Sequence, residues 1–350
     1  MRIKIIAEVG VNHNGDTGLA LELINEAEKA GADFVKFQTF NPDALVTGVA
    51  QKAIYQRKRT SCSESQIEML RRLALPQESF FKLKKRCDQL GVKFLSTPFD
   101  IESLEFLVAN LLVNHLKVPS GAITHGPLLL AAAKSGLPII LSTGMSTLEE
   151  IGDALGAIAF GLAGRDNPSL EAFRRSDKSI LADRVTLLHC TTEYPAPISE
   201  INLHAMGALA DRFALPVGYS DHTKGINISI AAAALGATVI EKHFTLDRKM
   251  AGPDHSASLE PQQFSNMVAG IRDVEVALGS GEKRPSQSEL INLVAVRPSL
   301  VAACSIRAGE LYSEQNLAIK RPGGGLSPMA WWDHLGQVAS RDYVKDDLLE

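Results

Sequence analysis

The sequence lacks an excess of either charge and any apolar run long enough to cross a bilayer. Its 36 Lys and Arg residues nearly balance 40 Asp and Glu residues, and no long basic run extends beyond the short patch 56–59. No nucleic-acid partner is expected, because nucleic-acid-binding proteins usually carry a basic surface. The most apolar later stretch, 226–240, contains polar residues and is shorter than the roughly 20 residues that span a membrane, so no membrane association is expected.

Cysteine is also scarce, and its four positions have no paired spacing of the zinc or redox type. We interpret Cys62, Cys87, Cys190 and Cys304 as free thiols of a reducing compartment. The N-terminus passes directly into a strand-like segment, without the basic and apolar regions of a signal peptide. A cytoplasmic location is therefore expected.

Short apolar runs alternate with longer segments of helical period. Because eight such units are typical of one architecture, the pattern predicts an α/β fold, a (β/α)8 TIM barrel. Three helical segments each end at a glycine, which is a common helix stop. The eight runs are 3–7, 34–37, 92–95, 115–118, 138–141, 185–188, 217–219 and 238–240.

Composition divides the chain into three parts. We predict a catalytic barrel over 1–280, a linker over 281–293 that begins among turn formers and charges, and a small, mostly β domain over 294–350. A domain of about 55 residues buries little core, so it is expected to lean on a partner surface. The connection 40–66 is too long for an ordinary loop, which suggests a lid or a dimer contact.

Polar residues gather just after the C-terminal ends of the apolar runs. In a (β/α)8 barrel this rim carries the active site. The residues on the predicted rim are Glu8, Lys36, Gln38, Ser96, Thr97, Lys117, Ser120, Ser142, Thr143, His189, Ser220, Asp221, His222, Glu241 and His243.

Two histidines on this rim, His222 and His243, lie one strand-helix repeat apart. The ends of neighbouring parallel strands are about 4.8 Å apart, so both imidazoles could bind one divalent ion, with water or substrate as a further ligand. Such an ion would act as a Lewis acid on a carbonyl oxygen. The alternative is that both histidines only form hydrogen bonds at the strand ends.

Two lysines, Lys36 and Lys117, lie at strand ends between apolar neighbours. A buried ammonium group needs a counter-charge, which an anionic substrate would supply. Pairing with a nearby carboxylate and a Schiff-base role are the alternatives. Hydroxyl groups on the same rim suit a phosphate and a carboxylate, and they belong to Ser96, Thr97, Ser120, Ser142, Thr143 and Ser220.

Several motifs then occur in an order that resembles the sialic acid synthase family, which makes nonulosonic acids. They are AEVGVNHNG at 7–15, VKFQT at 35–39, LSTPF at 95–99, HCTTEYP at 189–195 and the two histidine motifs. The segment GPDH at 252–255 is similar to the N-acetylneuraminate and legionaminate synthases rather than to the pseudaminate branch. The segment KRPGGGLSP at 320–328 resembles the antifreeze-like (SAF) domain of the family.

The resemblance implies a transferase that forms a carbon–carbon bond. Such an enzyme condenses phosphoenolpyruvate and water with an N-acylated mannosamine-type sugar, releasing phosphate and a sialic or legionaminic acid. The sugar would be N-acetylmannosamine or 2,4-diacetamido-2,4,6-trideoxymannose, and the resemblance favours the legionaminate type. The metal expected from the family is Mn²⁺, with Mg²⁺ and Co²⁺ as alternatives, and His222 and His243 match its ligands.

The resemblance also implies roles for individual residues. Glu8 matches a catalytic carboxylate that manages water or a proton, and Arg321 matches an arginine that reaches the sugar in the other subunit, which implies a domain-swapped homodimer. Gln38, Tyr194 and Asp254 match positions on the sugar side. The residues that match the phosphoenolpyruvate site are Lys36, Thr97, Lys117, Ser120, Ser142 and Ser220.

One position departs from the family pattern. Ala122 stands where the family commonly has glutamate, so an expected carboxylate is missing. Either another acid, such as Glu8 or Glu193, replaces it, or activity or sugar preference is altered. Two other readings stay open: an aldolase that uses a lysine Schiff base, and a non-catalytic sugar-binding protein.

Overall fold

The structure is a computed structural model that describes residues 2–60 and 63–350. The predicted free thiol of Cys62 lies outside the described residues. Cys87 and Cys190 are buried free thiols, and Cys304 is an exposed one. No described helix is long and apolar enough to cross a membrane.

Eight parallel strands form the predicted barrel. Their hydrogen-bonded order is β3-β2-β1-β8-β7-β6-β5-β4, and the two end strands of this order also contact each other. Every predicted run overlaps a strand, and most strands continue for one to three residues onto the polar rim. The strands are β1 (Lys4–Gly10), β2 (Phe34–Thr39), β3 (Lys93–Pro98), β4 (Leu116–Val118), β5 (Ile139–Ser142), β6 (Val185–Cys190), β7 (Val217–Asp221) and β8 (Val239–His243).

Helices connect these strands, and the three helices predicted from the sequence are present. The chain turns out of the helix Gln77–Leu90 at Gly91, whose φ of 75° favours glycine. The helices of this unit are α1 (Thr17–Lys29), α2 (Pro42–Leu45), α3 (Ile54–Arg59), α4 (Gln66–Leu73), α5 (Gln77–Leu90), α6 (Ile101–Glu105), α7 (Gly126–Lys134), α8 (Leu148–Leu162), α9 (Leu170–Arg174), α10 (Ala205–Phe213), α11 (Asn227–Ala234) and α12 (Pro261–Ala277).

A layer of buried apolar side chains fills the barrel beneath the polar rim. Its members are Ile6, Phe34, Leu95, Ile140, Leu188 and Val239. Side chains two residues apart in a strand share a face, so the next inward position on each of these strands lies one layer higher. Those positions hold Glu8, Lys36, Thr97, Ser142, Cys190 and Glu241. The apolar layer therefore supports a polar layer at the C-terminal ends of the strands.

Residues 280–350 form a second compact unit. It contains α13 (Gln287–Val296), α14 (Trp331–His334) and an antiparallel pair, β9 (Ser299–Ala302) and β10 (Leu317–Lys320). A small apolar core that includes Leu300, Leu317 and Tyr343 holds it together. Much of the predicted linker 281–293 is helical, because Ser286 and Glu289 form a capping box that starts α13.

Candidate active site

A cavity of about 350 Å³ opens at the C-terminal ends of the barrel strands. It brings together every predicted site residue of the barrel unit, while Arg321 belongs to the second unit, where it is exposed. The predicted residues that line the cavity are Glu8, Lys36, Gln38, Thr97, Lys117, Ser120, Ser142, Tyr194, Ser220, His222, His243 and Asp254.

Two lysines and two glutamates form a buried charge cluster in this cavity, with side chains at most 6% exposed. Lys36 Nζ lies 2.7 Å from Glu8 Oε2 and 3.7 Å from Glu241 Oε2. Lys117 Nζ lies 3.9 Å from Glu241 Oε1 and donates a 2.6 Å hydrogen bond to Ser142 Oγ. The carboxylate pairing considered as an alternative for each lysine is thus present, and Glu241 is shared between them.

The four groups differ in how strongly they hold a proton. Burial raises the pKa of Glu8 more than Lys36 lowers it, whereas Lys117 and Lys36 outweigh burial and lower the pKa of Glu241. Burial lowers the pKa of Lys117. At Lys36 the charges of Glu241 and Glu8 outweigh the effect of burial, so the pKa of Lys36 is raised. Glu8 is therefore the carboxylate better suited to exchange a proton, and Glu241 is the one that stays charged.

The two predicted histidines are neighbours, with ring centroids 5.6 Å apart. His222 Nδ1 donates a 2.6 Å hydrogen bond to the Thr191 carbonyl, which leaves Nε2 with a lone pair. Burial lowers the pKa of His222 to about 4 and that of His243 well below its usual range. Both rings are therefore neutral near pH 7, the form in which imidazole binds a metal.

The imidazole pair fits a divalent ion with open coordination positions. Nδ1 of His243 is buried and has no hydrogen-bond partner among the described residues. Over the same residues, no group of three or more His, Cys, Asp or Glu side chains could hold a metal ion together. An ion here would need water or substrate as its other ligands, so the metal site stays a prediction.

The predicted sugar-side residues lie near Glu8 and the imidazole pair. Gln38 Nε2 donates a 3.1 Å hydrogen bond to Glu8 Oε1. Burial, and then the charge of Glu8, raises the pKa of Asp254 to about 7. The Tyr194 ring contacts the His222 ring at a centroid distance of 4.2 Å. A carboxyl group that is easily protonated beside an aromatic ring suits recognition of a polar sugar.

The segment 40–66, predicted as a lid or dimer contact, covers part of the cavity where it is described. Its helices α2 and α3 bring Leu45 and Tyr55 to the cavity lining. The Tyr55 ring lies 4.8 Å from the Tyr194 ring. No sequence pattern identified Tyr55, because a contact between residues so far apart in the chain depends on the path of the loop.

The structure adds a carboxylate to the site that the site prediction omitted. Glu241 stood on the predicted rim without a role, although it shares a strand face with His243. Ala122 is buried in the main apolar core, and Glu193 is exposed and lines a recess that adjoins the cavity and shares Cys190 and Thr192 with it. Of the two acids considered as replacements at Ala122, only Glu8 lines the main cavity, and Glu241 joins it there.

The fold and the site together define a (β/α)8-barrel enzyme with a buried lysine–glutamate cluster beside a pair of neutral imidazoles. The NeuB family model matches residues 23–283, and the SAF domain model matches residues 297–350. The chain therefore belongs to the NeuB family, as the sequence motifs indicated, and it carries a SAF domain.

Known relatives agree with this membership over nearly the whole chain. The chain is 49% identical to an N,N'-diacetyllegionaminic acid synthase of Campylobacter jejuni over 99% of this chain and 98% of that protein. It is 33% identical to N-acetylneuraminate-9-phosphate synthase of Homo sapiens, over 90% and 82% of the two chains. The crystal structure of an N-acetylneuraminic acid synthetase from Leptospira borgpetersenii with citrate matches with a TM-score of 0.69 and 33% identity, over 83% and 90%.

Proposed function

We propose that this enzyme condenses phosphoenolpyruvate with 2,4-diacetamido-2,4,6-trideoxymannose and water to give N,N'-diacetyllegionaminic acid and phosphate. The observation that carries the reaction class is the buried lysine pair and its hydroxyl groups beside the two imidazoles of one cavity. The 49% identity to a synthase of this product over 99% of the chain supports the choice of sugar.

The lysine side of the cavity suits phosphoenolpyruvate. Lys36 and Lys117 bring two cations to one wall, and each already donates a hydrogen bond to a hydroxyl group, Thr97 and Ser142 respectively. Hydroxyl and ammonium donors are the groups that bind phosphate and carboxylate. Ser120 Oγ accepts a 2.9 Å hydrogen bond from the Gly144 amide and so lies beside that wall. Ser220 donates to Glu241 at 3.0 Å.

The imidazole side of the cavity suits the aldehyde of the open-chain sugar. His222 and His243 would hold Mn²⁺, with Mg²⁺ or Co²⁺ as alternatives, and a bound ion would polarise the aldehyde oxygen. The enol carbon of phosphoenolpyruvate then forms the new bond to the aldehyde carbon. Water adds at the resulting cationic carbon, while the former aldehyde oxygen takes up a proton and becomes a hydroxyl group. The added hydroxyl oxygen then becomes the ketone oxygen as phosphate leaves with its carbon–oxygen bond broken, and the hydroxyl proton leaves with the phosphate. Glu8, whose pKa is raised, accepts the proton of that water.

An apolar wall of the cavity favours the trideoxy sugar. Val11, Met69 and Leu73 are buried in one cluster and line the cavity. A methyl group at C6 and a second acetamido methyl group can bury against such a wall. The C6 hydroxyl of N-acetylmannosamine would instead lose hydrogen bonds to water.

A substrate panel tests the reaction and the sugar together. Purified enzyme with Mn²⁺ and phosphoenolpyruvate should release phosphate with the trideoxy sugar, with kcat/KM roughly tenfold to a hundredfold above that for N-acetylmannosamine. A preference for N-acetylmannosamine would overturn the sugar choice. No phosphate release with any sugar would overturn the synthase proposal and favour a non-catalytic sugar-binding protein. Borohydride trapping of a substrate on Lys36 or Lys117 would favour the Schiff-base aldolase.

We also propose a domain-swapped homodimer, in which Arg321 completes the sugar site of the other subunit. Helix α13 supports an oligomer because Leu290, Ile291 and Val294 on it are 47%, 75% and 60% exposed in the single chain. Mixing inactive His222→Ala with Arg321→Ala should restore part of the activity, since one mixed site would be intact. No recovery after exchange of subunits would contradict a site shared between subunits.

The three described free thiols support a cytoplasmic location.

A further inference from the structure

A second charge pair lies behind the imidazole pair, on the opposite faces of the same two strands. Asp221 and Lys242 are register partners of β7 and β8. Lys242 Nζ lies 2.8 Å from Asp221 Oδ2, and both side chains are 0% exposed. Because side chains alternate along a strand, each of these residues is flanked by residues that line the cavity.

The pair fixes the chain that follows His222. Asp221 Oδ1 accepts hydrogen bonds of 2.8 Å from both the amide and the hydroxyl group of Thr223. Lys242 Nζ donates a 2.6 Å hydrogen bond to the Thr223 carbonyl. Ser229, on helix α11, donates a 2.6 Å hydrogen bond to Asp221 Oδ2. Both backbone polar groups of Thr223 are thereby tied to a pair that spans the two strands.

The carbonyl of His222 itself accepts a 2.9 Å hydrogen bond from the Ala196 amide. With its backbone held on both sides, the ring keeps the short Nδ1 bond to Thr191 that selects its tautomer. Removing two charges from water costs free energy that their attraction often fails to recover. Stability alone therefore explains this fully buried pair poorly, and conformational specificity explains it better.

We propose that Asp221 and Lys242 are positioning residues that fix His222, in its orientation and tautomer, relative to His243. Their effect on turnover rests on the proposed function, but their effect on the imidazole does not. The pair acts across the β7–β8 ladder, so the ring spacing of the candidate metal site depends on a contact outside the cavity.

The test removes both charges at once in Asp221→Asn/Lys242→Met, so that no lone charge is left buried. In metal-free protein at constant pH, ¹⁵N shifts of the imidazole nitrogens should show one His222 tautomer in the wild type and a mixture in the variant. Mn²⁺ affinity, measured from the free-ion EPR signal, should fall about tenfold to a hundredfold. The kcat should fall while KM for phosphoenolpyruvate changes little, because the lysine wall is intact.

Leu23→Ala in helix α1 is the matched control, since it destabilises the barrel core at a buried residue that belongs to neither β7 nor β8. It should lower the thermal midpoint while leaving the tautomer and the Mn²⁺ affinity unchanged. A wild-type tautomer, affinity and kcat in the double variant would overturn the proposal. If the double variant does not fold, Ser229→Ala replaces it, because this variant removes only one hydrogen bond to Asp221. A loss of Mn²⁺ affinity of roughly twofold to tenfold would support the proposal. An unchanged tautomer and an unchanged affinity would overturn it.

The proposed function can fail separately from this proposal. A wild-type enzyme that binds no Mn²⁺ or gives no turnover would contradict the assigned chemistry. The imidazole shifts would still decide whether the buried pair orients His222.

Discussion

The two ends of the barrel carry similar charge pairs in very different surroundings. At the C-terminal end, Lys36 pairs with Glu8 and Glu241, and these side chains are 3–6% exposed. At the N-terminal end, Arg272 lies 2.9 Å from Asp33 and 3.0 Å from Glu275, and these side chains are 17–25% exposed. Water solvates and screens the second cluster far more than the first.

This difference indicates what each cluster does. Partly exposed charge pairs contribute little to stability, and losing one costs little. A buried charge pair is tolerated only while both partners are present, because a lone buried charge is very unfavourable. The C-terminal cluster combines that dependence with shifted pKa values and a cavity, which is typical of a functional site. Variants at the two ends should therefore differ in kind as well as in size.

The largest contrast is expected between two histidines at opposite ends. His243→Ala should lower kcat about a thousandfold, because a bound ion that polarises the substrate supplies several kcal/mol. His115→Ala, just before β4 at the other end, should leave kcat near the wild-type value. Steady-state phosphate release measures both. An active His243→Ala enzyme would contradict the assigned role of the imidazole pair.

The next effect concerns stability. Lys36→Met leaves Glu8 and Glu241 without their closest cation, so the free energy of unfolding should fall by about 3–5 kcal/mol. Urea unfolding at pH 8 measures this, and KM for phosphoenolpyruvate should rise in parallel. Adding Glu8→Gln should recover part of the stability but none of the activity. Equal stability of wild type and Lys36→Met would show that water reaches this cluster.

Local patterns in the sequence were enough to predict the strands and most of the cavity. Apolar runs ending in polar residues place side chains such as Thr97 and Ser142 on one rim, because parallel strands share that end. The same patterns gave Glu241 no role, since its importance comes from lying between two lysines on other strands. Tyr55 and the wall around Met69 depend on the course of a long connection. Helix α13 begins at a capping box inside the segment that was predicted to be a linker. The turn-forming residues just before that capping box favoured the linker prediction.

A third prediction uses the pH dependence of one carboxyl group. Folded Asp254 holds its proton up to about pH 7, whereas an unfolded Asp releases it near pH 4. Between these values the folded state binds more protons, so this residue makes stability fall as pH rises. Asp254→Asn should therefore be more stable than wild type at pH 8, by up to about 4 kcal/mol. The difference should vanish near pH 4 in thermal unfolding curves, and a constant difference across pH would contradict this explanation.

The smallest effect is expected at the N-terminal end, where Arg272→Met removes the centre of the partly exposed cluster. Asp33 keeps Arg2 at 3.3 Å and the Ile5 amide at 2.9 Å, so its charge is not left alone. Unfolding free energy should fall by about 1 kcal/mol at low salt and by less at high salt, because exposed pairs are screened. Activity should not change. Urea unfolding in low and high NaCl measures the effect. If Arg272→Met lost as much unfolding free energy as Lys36→Met, the difference in solvent exposure would not explain how the two clusters respond to mutation.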